Sequence, residues 1–169
     1  PKRGVYAVFD GMGGHMAGDV AAQTARDMVL SLVGADDGAD EGALSRALSA
    51  ASAEIYEQAQ ARRDRHGMGT TAVVLRIEGA KAVIAHVGDS RAYLLRGSRL
   101  EQLTPDHTVV AAMLAAGAIT PEEAVHHPYK NVLSRCLGST AKVDVDVQDL
   151  ELRPGDRLLL CSDGLTGYA

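Results

Sequence analysis

Three aspartates stand where an apolar stretch gives way to a glycine turn: Phe9-Asp10-Gly11, Val87-Gly88-Asp89 and Ser162-Asp163-Gly164. A carboxylate just past a strand is held at the sheet edge. The glycine beside it lets backbone or ligand approach closely and can present a carbonyl. Several such carboxylates converging make a hard, oxygen-rich site suited to Mg2+ or Mn2+. Asp-Gly is also a common turn dipeptide, and any one of the three has that plainer reading. Its repetition after three apolar stretches favours the site.

Other chemistry fits less well. The glycine-rich turn at 11–18 has a rival reading as a phosphate cradle at a helix N-terminus. No Gly-Lys-Ser/Thr follows it, and Asp10 places negative charge where a dinucleotide's pyrophosphate sits. Gly88-Asp89-Ser90 raises a serine nucleophile, which needs a histidine base and an acid to orient it. His86 lies on the same strand, but no Asp-x-x-His occurs in the chain. His15, among glycines beside the first carboxylate, is a candidate for acid–base work. His86 reads as a satisfied interior histidine, and His107, His126 and His127 as structural or surface residues.

The elements that must position these groups follow from periodicity. Residues 4–9 read as a buried strand running into the glycine turn. Val20, Ala21, Thr24, Ala25, Met28, Val29 and Leu32 mark one face of a helix. An acidic loop at 34–40 leads to a second helix over 41–62, with Leu44, Ala47, Leu48, Ala51 and Ile55 inward. Strands are expected at 70–78 and 81–87, and a hairpin at 91–95 and 99–103. A short helix follows at 108–117. Thr120-Pro121-Glu122-Glu123 starts another with a capping box. Residues 143–152 alternate like a half-exposed strand, and 157–161 read as a last buried strand. Strands and helices come in blocks, which favours α+β with antiparallel sheet over a doubly wound fold. No repeat or interdomain linker is visible.

Composition narrows the function. Only 4% of the 169 residues are aromatic, so the core is aliphatic and base stacking has few rings to use. The net charge of −5 gives no general pull toward nucleic acid or an anionic membrane. If such a chain handles phosphate, something other than net positive charge must do so, and bound metal is the first candidate. No apolar run approaches the ~20 residues that span a bilayer, and the start shows no signal-peptide pattern. Cys136 and Cys161 sit in apolar surroundings without CxxC spacing and read as buried free thiols of a reducing compartment, the cytoplasm.

Taken in order, the motifs resemble a known family. Phe9-Asp10-Gly11-Met12-Gly13-Gly14-His15 with Gly18 looks like the first metal-binding motif of the type 2C metal-dependent protein serine/threonine phosphatases, bacterial branch. Gly69-Thr70-Thr71-Ala72 resembles the strand after that family's two long helices. Val87-Gly88-Asp89-Ser90-Arg91-Ala92-Tyr93 and Gln102-Leu103-Thr104-Pro105-Asp106-His107-Thr108 resemble its central hairpin and the turn after it. Asn131-Val132-Leu133-Ser134-Arg135-Cys136-Leu137-Gly138 and Leu160-Cys161-Ser162-Asp163-Gly164-Leu165 follow in the same order.

The resemblance implies a four-layer α/β/β/α sandwich: two antiparallel sheets flanked by helices. It implies a metal-dependent phosphatase that hydrolyses phosphoserine and phosphothreonine through a metal-activated water. Two Mn2+ or Mg2+ ions are expected, with a third, weaker site. By position Asp10 bridges two ions, Gly11 gives its carbonyl, Asp163 binds one ion and Asp89 belongs to the third site. His15 is the expected general acid. The expected partners are phosphorylated proteins, among them a serine/threonine kinase and its substrates, with no nucleic acid and no membrane in this segment. The family's upstream Arg-containing acidic motif and downstream Asp-Asn motif have no counterpart here. Residues 1–169 are therefore read as a single phosphatase-type catalytic domain truncated at both ends. The alternative is a catalytically inactive phosphatase-like binding or regulatory module.

Overall fold

The structure is a computed structural model and describes residues 3–34 and 42–167. Strand β1 (Arg3–Val8) runs into the two-residue β2 (Gly11–Met12) and helix α1 (His15–Gly34). Helix α2 (Gly42–Ala61) leads to β3 (Gly69–Thr70), β4 (Ala72–Glu78) and β5 (Lys81–Val87). The hairpin β6 (Arg91–Arg96) and β7 (Arg99–Gln102) precedes short helices α3 (Val109–Ala115) and α4 (Pro121–Val125). Strands β8 (Asp146–Glu151) and β9 (Arg157–Cys161) lead to α5 (Asp163–Thr166). Most of the acidic loop expected at 34–40 lies outside the described residues.

Two antiparallel sheets form, in the orders β1-β4-β5-β8 and β7-β6-β9, and β2 pairs separately with β3. Strand β4 explains the layering. Its residues alternate between two cores: Ala72 and Val74 face the helices, while Val73 and Leu75 face the second sheet. A strand covered on both sides reads as an unbroken apolar run. Ala21 and Ala25 of α1 meet Ala47 and Ala51 of α2 in the first core, all with no exposed surface. Such small side chains let the helix axes approach. Ala92, Leu158 and Leu160 close the second core from the other sheet.

The architecture is the expected α+β with antiparallel sheets and helices. Some details differ. Among the described residues only β4 pairs with β1, which leaves β1 at the edge with Val5 and Tyr6 exposed. β9 is likewise an edge, alternating Leu158 and Leu160 inward with Leu159 outward, so neither is the fully buried strand expected. On α1 the buried row is Ala17, Ala21, Ala25, Val29 and Val33, spaced by four, which leaves Leu32 exposed. The helix-start signals at 108 and 120 are both used. The Thr108 hydroxyl accepts from Ala111 N–H, and Thr120 with Glu123 forms the reciprocal capping box.

Candidate active site

The Asp10 turn is built from two glycines that touch. A Cβ on Gly11 would lie 2.1 Å from the Gly18 carbonyl oxygen, so the first turn of α1 packs directly on the chain after Asp10. Two threonines hold Asp10 by its backbone. The Asp10 N–H donates to Thr71 Oγ1 at 3.2 Å, and Thr70 Oγ1 donates to the Asp10 carbonyl at 3.0 Å. The Thr71 N–H donates to that same carbonyl at 2.9 Å. With the backbone so fixed, the point from which the side chain leaves the main chain is set.

Asp89 sits on a turn held in a similar way. Gly88 precedes it with φ +104°, a conformation that favours glycine, and a Cβ there would lie 2.7 Å from the Thr71 side chain. Ser90 follows it and is buried, with its hydroxyl 2.7 Å from Thr71 Oγ1. One threonine therefore contacts both carboxylate turns. Asp163 opens α5 at the end of β9, preceded by Ser162.

The fold brings these three carboxylates, from the start, middle and end of the chain, within electrostatic reach of one another. Burial raises the Asp10 pKa, and it is raised further by the charge of Asp163 and a side-chain hydrogen bond with it, while Ser162 opposes the rise. Asp89 is pushed up to about 6, first by burial and then by Asp163, with smaller contributions from Asp106 and Asp10. Carboxylates that repel one another in partial burial are strained as anions, and a divalent cation relieves that strain. Hard oxygen donors suit Mn2+ and Mg2+, so the residues present fit those ions. The carboxylate oxygens of Asp10, Asp89 and Asp163 do not all lie within 4.8 Å of one another.

Gly11 lies beside Asp10 as expected and pairs with Thr70 across the β2–β3 ladder. His15 begins α1, directly after the positive-φ Gly13 and Gly14; its side chain lies outside what the structure describes. His86 is the satisfied interior histidine expected, with Nε2–H donating to the Pro105 carbonyl at 2.9 Å. His107 is structural and buried. Two nearby arginines are committed: Arg91 grips Asp106 through two bonds of 2.8 and 2.7 Å, and Arg135 reaches Asp146 at 2.7 Å. Cys136 and Cys161 are buried free thiols.

Sequence reasoning gave no positioning role to Thr70, Thr71, Ser90 or His107; Ser90 reads there only as a rival nucleophile and His107 as a structural or surface residue. The only signal was their place in Gly69-Thr70-Thr71, Gly88-Asp89-Ser90 and Asp106-His107. Their hydrogen bonds join residues far apart in sequence, which local pattern does not show.

Residues 1–112 match the protein phosphatase 2C family. The chain is 42% identical over 170 residues to a serine/threonine phosphatase of Listeria innocua, covering 98% of this chain and 68% of that protein. Its fold matches the crystal structure of the serine/threonine phosphatase Stp1 from Staphylococcus aureus with a TM-score of 0.90 and 37% identity, over 98% of this chain and 66% of that one. It also matches the catalytic domain of the serine/threonine protein phosphatase PstP in complex with two manganese ions. There the TM-score is 0.85 and the identity 38%, over 99% and 73% of the two chains. The chain belongs to the protein phosphatase 2C family, the metal-dependent serine/threonine phosphatases. It spans about two thirds of the length of the Listeria relatives.

Proposed function

We propose that this protein hydrolyses phosphoserine and phosphothreonine in phosphorylated proteins, and that residues 1–169 are part of its phosphatase-type catalytic domain. The observation that carries the reading is the meeting of Asp10 and Asp163, with Asp89 close enough to be titrated by both. In this reading Asp10, the Gly11 carbonyl and Asp163 would hold two Mn2+ or Mg2+ ions, and Asp89 would hold a third, weaker one. When bound, such ions acidify water and neutralise charge on the phosphoryl oxygens.

The chain's own residues do the rest. Thr70 and Thr71 fix the Asp10 backbone, which limits where its carboxylate can reach. His15, at the first residue of α1, donates a proton to the departing serine or threonine oxygen. No covalent phosphoenzyme is needed, consistent with the burial of both cysteines. The substrates are proposed to include a serine/threonine kinase and its targets, in the cytoplasm. Among the described residues no helix is long and apolar enough to cross a membrane.

The test is turnover of a phosphothreonine peptide by the protein at its natural length, with and without Mn2+. Turnover that needs Mn2+ and is lost in Asp10→Ala and His15→Ala supports the reading. Metal binding without any turnover would favour the inactive binding module instead.

A further inference from the structure

His107 is buried, and its bonds converge on one residue. The Gly88 N–H donates to His107 Nδ1 at 3.1 Å, and the His107 backbone N–H donates back to the Gly88 carbonyl at 3.0 Å. On the far side of the ring Nε2 faces Asp146 Oδ2 at 3.3 Å, while Arg135 holds Asp146 Oδ1 at 2.7 Å. His86 stacks on the ring with centroids 4.5 Å apart and planes 27° apart.

His86, His107 and Asp146 place ligand atoms within 4.8 Å of one another, the composition of a transition-metal site. The hydrogen bonds speak against that use. A neutral imidazole carries one proton, and His107 Nδ1 accepts, so the proton is on Nε2 and no lone pair faces the trio. His86 Nε2 carries its own proton toward the Pro105 carbonyl. What remains is a relay of orientation: Arg135 sets Asp146, Asp146 sets the His107 tautomer, and the ring receives Gly88.

We infer that His107 is a positioning residue for Asp89: its ring accepts the Gly88 N–H, its main chain holds the Gly88 carbonyl, and the ring bond fixes the direction in which residue 89 leaves the β5 strand. The inference rests on the reading of Asp89 as a divalent-ion ligand. Gly88 has little other freedom, because Thr71 closes its remaining side. Loss of the Nδ1 acceptor leaves a buried N–H unpaired, and the turn shifts to satisfy it.

The experiment is Mn2+ binding to the metal-free protein at its natural length, followed by calorimetry. Four proteins are compared: wild type, Asp89→Asn, His107→Asn and His107→Gln. Asn keeps an acceptor near the Nδ1 position; Gln keeps only a group near Nε2. Asp89→Asn is expected to remove the weakest class of Mn2+ site. His107→Gln should weaken that class about 10-fold or more, the usual scale for supporting residues around a metal. His107→Asn should stay near wild type, and the tighter sites should be unchanged in both. Equal binding by the Asn and Gln variants, whether both native or both weakened, overturns the inference while leaving Asp89 as a ligand. An Asp89→Asn protein with every Mn2+ site intact overturns the Asp89 reading, and the inference with it.

Discussion

Thr71 Oγ1 and Ser90 Oγ lie 2.7 Å apart in a buried space between the turn that carries Asp10 and the turn that carries Asp89. The same Thr71 oxygen accepts the Asp10 N–H. A single hydroxyl therefore ties two candidate ligand turns together. Thr71→Val keeps the shape and removes that oxygen, stranding the Ser90 hydroxyl and the Asp10 amide. The expected cost is about 1–3 kcal/mol of stability. Thr71→Ser should recover most of it. Chemical denaturation of the three proteins checks this, and a Val variant as stable as wild type would contradict it.

Glycine positions separate by what surrounds them. Gly11→Ala drives a methyl to 2.1 Å from the Gly18 carbonyl oxygen, and backbone does not yield as a side chain does. We expect a loss of about 1–3 kcal/mol or more, with Mn2+-dependent turnover falling in parallel because Asp10 moves with its neighbour. Gly79→Ala, in the β4–β5 turn, meets open space and carries only the cost of its φ of +63°. That cost is about 1–2 kcal/mol, and turnover should be unaffected. Thermal melts and peptide turnover on both variants separate the two cases.

Acid sensitivity is expected from the stacked histidines. Burial, first among the causes for each, lowers the pKa of both His86 and His107. Arg135 pushes both down, Asp146 pulls both up, and Asp106 adds to the upward pull on His86. A histidine whose folded-state pKa lies below its unfolded value of about 6.5 favours the fold while neutral. Its contribution is present above pH 6.5 and is lost as pH falls through the folded value. The melting temperature should therefore drop between pH 7 and pH 5, and His107→Asn should flatten that drop. Equal slopes in the two proteins would contradict the account.

The Arg96–Asp156 pair bears on stability alone. Two bonds of 2.9 and 2.6 Å join the end of β6 to the turn before β9, and the Arg153 N–H also donates to Asp156. Those partners, Arg96 first, hold the Asp156 carboxyl down at about 2. The pair should contribute above pH 4 and fade as pH falls toward 2. Asp156→Asn is expected to lower the melting temperature at pH 7 without changing Mn2+ dependence. A melt unchanged at pH 7 would contradict this.

Much of this was legible in the sequence, for identifiable reasons. The stripe Leu44, Ala47, Leu48, Ala51 and Ile55 was readable because one face of α2 packs along its length, and all five residues are buried. Strands β4 and β5 were readable because both faces are covered. Leu32 misled because α1 buries a row spaced by four, which the sequence alone does not distinguish from its neighbour. β1 and β9 misled because an apolar run does not reveal whether a second strand will pair on its outer side. The candidate aspartates stand out in the sequence because the turn chemistry around them is local. The groups that aim them, Thr71, Ser90 and His107, act across the tertiary fold and leave no periodic trace.

Turnover of a phosphothreonine peptide by the protein at its natural length, titrated with Mn2+, tests the central claim most directly. Wild type, Asp10→Ala and Asp163→Ala are compared after confirming that each folds. The account predicts saturable Mn2+-dependent turnover in wild type and, in both variants, a fall to the rate seen without added Mn2+. Full Mn2+-dependent turnover by Asp163→Ala would contradict it, because the pairing of Asp10 with Asp163 would then have no part in the chemistry.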